Sequence, residues 1–284
     1  MSNLKTLVSG AYDIQLLRIQ MGNRIIANWK AKQGQAPSAK EETMDEKGKV
    51  ILDSLRSGYK TLTAGIAALP RKLTFEGNEV INDYTILCLM DSYVNLEKQE
   101  KHHFNYLKHI LEDYPIYTEF LKGVKGVGPA IAAVIISEID ITKAKYPSSI
   151  WKYAGLDVAP DGKGRSRKKE HLVESEYVDK EGELKTKMGI SFNPFLKSKL
   201  IGVLASSFIR AGENKYEQIY RGYKHRITEH PDHIEKSLGH RDNMAKRYAV
   251  KIFLLDLHRV WRKMEGFEPS VPYAQAKLGM KHTE

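Results

Sequence analysis

The 284-residue chain is 42% hydrophobic and carries a net charge of +10. That apolar content supports a packed core rather than a disordered chain, and the cationic excess favours a polyanion as partner, nucleic acid first and an acidic membrane surface second. Cys88 is the one cysteine, which excludes an internal disulfide and suits a reducing cytoplasm. The expectation is a cytoplasmic protein: no signal-peptide pattern opens the sequence, and no apolar run approaches the ~18 residues of a membrane span.

In chain order, Leu4, Leu7, Val8, Ala11, Ile14, Leu17, Met21 and Ile25 recur at three- and four-residue steps and predict an amphipathic helix. Residues 32–48, rich in Gly, Pro, Ser, Lys and Glu, read as a loop. A second helix is expected over about 48–67, with Ile51, Leu55, Tyr59, Leu62 and Ile66 on one face. It stops before Pro70, and Thr74 to Glu79 forms a connector. A long helix over roughly 80–111 follows. Its charged second half suits solvent or coiled-coil pairing in a homodimer.

The segment Leu121-Lys-Gly-Val-Lys-Gly-Val-Gly-Pro-Ala-Ile-Ala-Ala133 reads as two helices joined by a tight glycine turn. Gly126 and Gly128 admit φ > 0 or a close backbone approach, and Pro129 suits the first turn of the next helix. Free amides at such a helix start bind phosphate. This is the pattern of a helix-hairpin-helix, with Lys122, Lys125, Gly126, Val127 and Gly128 as candidate contacts to a nucleic-acid backbone. The bland alternative is an ordinary glycine-linked helical hairpin. Ile131 to Ile139 then predicts a buried helix. Ser148 or Ser149 is the expected cap of a helix bearing Ile150, Trp151 and Tyr153.

Between glycines, Lys163, Arg165, Arg167, Lys168 and Lys169 form a basic loop suited to tracking phosphates. Residues 171–187 predict a β-hairpin around Asp179-Lys-Glu-Gly182. Leu196 to Arg210 predicts a helix. Another, over about 241–264, is expected to bury Met244, Tyr248, Ile252, Leu255 and Val260. Tyr216, Tyr220 and Tyr223 with Arg221, Lys224 and Arg226 can stack bases or form a packing face with basic edges. His225, His230, His233 and Asp232 match no established zinc spacing, so no metal and no cofactor is expected.

Phe120 to Asp140, then Ile150-Trp-Lys-Tyr-Ala-Gly-Leu-Asp157, then Met188-Gly-Ile-Ser-Phe-Asn-Pro-Phe-Leu-Lys-Ser-Lys-Leu200 and Asn243 to Ala249, come in the order of blocks in a known family. Over roughly 115–264 the chain resembles the C-terminal half of insertion-sequence transposases of the 110/116/902 group. The resemblance implies a serine in this half that attacks DNA, a bound structured guide RNA, and an N-terminal RNase-H-like nuclease domain with two metal ions.

The chain departs from that pattern twice. Residues 1–80 read as helices, with Asp13, Asp45 and Asp53 in helical or loop contexts, so the acidic metal site is expected to be absent. The family serine precedes a glycine, and the matching place here is Asp161-Gly162. Ser166, within Gly164-Arg-Ser-Arg-Lys-Lys169, is the candidate catalytic residue because its cationic flanks would favour an alkoxide. The alternative is a serine on a phosphate-binding loop. A DNA glycosylase, which also begins from such a hairpin, would need a catalytic aspartate soon after the second helix; Asp140 comes too early.

The expected fold is mainly α, a helical bundle with a helix-hairpin-helix domain and a small β-hairpin insertion. The expected organisation is a helical region 1–112, a transposase-like domain 113–266 and an extended tail 267–284. The expected function is gripping duplex or branched DNA in transposition or recombination, without a nuclease site. Alternatives are a serine recombinase using Ser166 and an RNA-binding or scaffolding protein of a mobile element or phage.

Overall fold

A computed structural model describes residues 3–34 and 44–278. The fold is mainly helical, with one two-stranded antiparallel sheet among the described residues. No helix there is long and apolar enough to cross a membrane. The predicted loop 32–48 falls largely on residues outside the description. The chain divides into two compact units, one of residues 6–106 and one of residues 2–5 with 107–284.

The first unit takes most of α1 (Asn3–Lys32), α2 (Glu46–Leu62) and most of α3 (Tyr84–Ile110). Asp45 caps α2 by accepting a hydrogen bond from the Gly48 amide at 2.7 Å. Ile25, Leu55, Ile81, Leu87 and Met90 form its core. Leu17 is half exposed, so the apolar stripe of α1 is interrupted at its middle, and Ile66 lies beyond the end of α2. Tyr93 is gripped from two sides: Arg18 donates to its hydroxyl at 3.2 Å and Arg56 at 3.1 Å. Two carboxylates of this unit serve local ends, since Asp45 also pairs with Lys30 and Asp53 with Arg56.

The second unit is built around a long helix. It comprises α4 (Pro115–Glu119), α5 (Pro129–Glu138), α6 (Pro147–Tyr153), β1 (Val173–Val178), β2 (Leu184–Gly189), α7 (Pro194–Ser198), α8 (Ala205–Arg210), α9 (Lys215–Glu229), α10 (Leu238–Met264) and α11 (Tyr273–Leu278). A wide π turn, Lys199–Leu204, runs between α7 and α8, so the predicted helix over 196–210 is one rod with a local change of pitch. α6 begins at Pro147, with Tyr146 at its cap position instead of the predicted Ser148 or Ser149.

α10 packs against α4, α6, α8 and α9. Its fully buried residues are Ala245, Ala249, Val250, Phe253, Leu254, Leu257, His258 and Trp261, whereas the predicted Met244, Tyr248, Ile252, Leu255 and Val260 are half buried. The correction is physical. α9 approaches along the small Ala245 and Ala249, which share a buried cluster with Tyr220 and Ile227. The buried stripe therefore sits one residue on from the bulkiest choices. The segment after Phe267, expected to be extended, includes α11, where Tyr273 meets Tyr146 edge-on at 5.4 Å.

Candidate functional site

Two loops of the second unit carry the residues singled out from the sequence. The first is the glycine turn between α4 and α5. Gly126 takes φ +98°, and a methyl group there would come within 2.9 Å of the Phe208 ring. Val127 is buried, while Gly128 is open, with no atom within 4 Å of a methyl's position. The amides of Gly126, Gly128, Ala130 and Ile131 make no backbone hydrogen bond among the described residues. The two lysines already have partners. Lys122 pairs with Glu112 at 2.9 Å, and Lys125 donates to the Glu213 carbonyl at 3.2 Å.

The second loop runs from Asp157 to His171 and is tightly built. Arg165 N–H donates to Asp157 O at 3.1 Å, Val158 bridges Gly164, and Ala159 N–H donates to Lys163 O at 2.7 Å. Ala159-Pro-Asp-Gly162 closes this small hairpin, with Pro160 in the position proline prefers and Gly162 at φ +76°. Asp161 thus stands at the tip and Ser166 just past the returning arm. A single 3₁₀ turn, Lys169–His171, then folds His171 back between them.

The result is a short relay. Ser166 Oγ lies 2.8 Å from His171 Nδ1, and His171 Nε2 lies 3.1 Å from Asp161 Oδ2. The His171 ring is buried, with the residue only 4% exposed. A hydrogen bond from the Lys163 amide, then one from His171, holds the Asp161 carboxyl below the usual carboxylate range.

Cations from distant parts of the chain crowd the same loop. The Arg247 guanidinium, from α10, lies so close over Gly164 that a methyl group there would stand 1.4 Å from its Nη1. Lys197, from α7, donates to the Arg165 carbonyl and sits 4.6 Å from the centre of the Phe192 ring. Gly155, at φ +64°, leaves room for Phe192, because a methyl would come within 2.6 Å of that ring. Lys251, one turn beyond Arg247, lies 5.3 Å from the Trp151 ring centre.

Burial pushes the Lys197 ammonium down to about 8, helped by Arg247, Arg165 and Arg167. Burial likewise lowers Arg247, and burial with the Arg247 charge lowers Lys251. The local counter-charge is Asp157, which accepts from Arg165 Nε at 3.1 Å and Nη2 at 2.8 Å. Cations thus outnumber carboxylates around Asp157, an imbalance that a phosphate group would redress.

Of the predicted contacts, Lys163, Arg167, Lys168 and Lys169 are exposed on this loop, and Arg165 is turned inward onto Asp157. The sequence reading missed Lys197, Arg247 and Lys251, which helices deliver from elsewhere, and His171, which it assigned to the start of the β-hairpin. The even spacing of Asp161, Ser166 and His171 across a glycine-rich stretch was the available signal for the relay. The Tyr216, Tyr220 and Tyr223 patch is a packing face: Tyr216 and Tyr220 are buried, and Tyr223 stacks on Tyr248 at 4.2 Å.

Residues 118–175 match the model of the Transposase IS116/IS110/IS902 family. The matched stretch holds the glycine turn, Asp161, Ser166 and His171, and the similarity points to a transposase-related role. No curated protein and no solved structure matches the chain.

Proposed function

We propose that the protein binds the phosphate backbone of DNA, duplex or branched, in transposition or recombination. The observation that carries this reading is the basin of Lys197, Arg247 and Lys251, half-buried cations that are crowded by one another and by the neighbouring Arg165 and Arg167. Such crowding costs stability in the free protein and is relieved when an anion enters. The open amides at the glycine turn fit a second phosphate contact of the helix-hairpin-helix kind. Backbone contacts of this kind position nucleic acid without reading its sequence.

The acidic nuclease site has no part in this reading, because Asp45 and Asp53 are engaged in a cap and in ion pairs. The first experiment is to sequence nucleic acid that copurifies with the protein and to measure anisotropy with duplex DNA, a four-way junction and structured RNA. Binding of both DNA forms with little sequence preference is expected. Binding of RNA alone would replace DNA with an RNA-binding role, and binding of none would overturn the proposal.

One observation favours a second reading, in which Ser166 carries out strand transfer: its hydroxyl is 2.8 Å from a histidine nitrogen. Strand transfer on junction DNA by the parent chain but not by Ser166→Ala is its signature.

A further inference from the structure

We propose that His171 is the general base that activates Ser166 for attack on a phosphodiester, with Asp161 as the positioning residue that holds the imidazole. The inference rests on the nucleic-acid reading for its substrate class, but its geometry stands by itself.

The protonation pattern follows from the contacts. The Ser166 amide is 2.9 Å from His171 Nδ1, and an amide can only donate, so Nδ1 is the bare nitrogen. Nε2 then carries the ring proton and donates to Asp161 Oδ2. The ring is therefore neutral, and the one lone pair of its basic nitrogen is shared between the Ser166 amide and the Ser166 hydroxyl, within reach of the proton that a general base takes. The ionised Asp161 would stabilise the imidazolium that forms, as the carboxylate does in serine hydrolases.

The chemistry balances within the site. Oγ bonds to phosphorus while its proton passes to Nδ1, and the phosphorus–oxygen bond to the leaving nucleoside breaks. The same proton is then available to the leaving oxygen. Once Nδ1 is protonated, the Ser166 amide loses its acceptor and is free to donate to a phosphoryl oxygen. The Arg247 guanidinium lies over Gly164, two residues before Ser166, and brings positive charge to this part of the loop.

These contacts would also be made by a relay that only staples the loop, and reactivity separates the two. The full chain is treated with a fluorophosphonate probe, which forms an Oγ–phosphorus bond with loss of fluoride and needs no DNA sequence. Mass spectrometry then locates the adduct.

Labelling at Ser166, well above the other serines, is expected. His171→Ala should lower the rate about 100-fold, in the range of a positioned base, and added imidazole should restore part of it. Asp161→Asn, whose amide oxygen can still accept from the Lys163 amide, should lower it about 10-fold, with thermal melting to confirm that the variant stays folded. Ser166 labelling no faster than other serines, or at an unchanged rate in both variants, would overturn the proposal. Labelling that DNA does not block would leave the relay standing and count against the nucleic-acid reading.

Discussion

Lys122, beside the glycine turn, holds Glu112 at 2.9 Å, whereas Lys197, beside the loop 157–171, is packed among Arg247, Arg165 and Arg167. Both regions carry glycines and clustered cations, and the sequence pattern ranks the glycine turn first. The structure separates them by what the charges already touch. A lysine with a surface carboxylate partner gains little and asks for nothing more. A half-buried cation whose neighbours are mostly cations remains short of negative charge. Free charge, rather than charge count, distinguishes a binding surface from a solvated one.

Single substitutions sharpen this contrast. Reversing the charge in Arg247→Glu should weaken binding to duplex DNA about 100-fold, since two units of charge change at a half-buried site. The variant should melt no lower than the parent because like charges are relieved. Lys122→Glu should change affinity less than about twofold. Equal losses at both positions in an anisotropy titration would erase the distinction.

Within the glycine turn, Gly126→Ala should destabilise the fold by about 1–3 kcal/mol, through its left-handed φ and the overlap with Phe208. Gly128→Ala, in open space, should be nearly neutral by thermal melting. In the other loop, Gly164→Ala keeps every charge but pushes the Arg247 guanidinium off its seat. A several-fold loss of DNA affinity at unchanged net charge is expected, and no loss would mean that the placement of Arg247 is immaterial.

The smallest effect is a pH dependence. Lys197 in the free protein loses its proton around pH 8, so a phosphate meets a full charge at pH 7 and a diminished one above 8. Affinity should fall a few-fold between pH 7.5 and 9.5, and Lys197→Arg should flatten that fall. Stability moves the other way. The folded-state pKa lies below the ordinary 10.5, so the unfolded chain holds more protons between about 8 and 10.5 and stability rises with pH there. An affinity that rises with pH in the parent chain would contradict the role given to Lys197.

Much of the architecture was legible because it rests on local patterns. Pro129 and the β-branched run after it mark α5, Asp179 to Gly182 marks the turn of the β-hairpin, and Lys163 to Lys169 marks the basic loop. The remainder depends on packing partners. Lys197 and Arg247 look like surface positions of amphipathic helices until α7 and α10 bring them over Gly164. His171 reads as the first residue of a strand region because nothing in its neighbours announces a 3₁₀ turn. The buried stripe of α10 was misplaced by one residue because a small alanine at a close helix crossing is as much a core residue as a tyrosine.

The central claim is that the basin around Gly164 neutralises phosphates, and the salt dependence of affinity tests it most directly. For the parent chain, log affinity against log salt should fall with a slope of about −4 to −5, as expected for roughly five neutralised phosphates. Arg247→Ala and Lys197→Ala should each reduce the steepness by about one, while Lys122→Ala leaves it unchanged. A parent slope near zero, or a loss of slope at Lys122 and none at Arg247 and Lys197, would contradict the account.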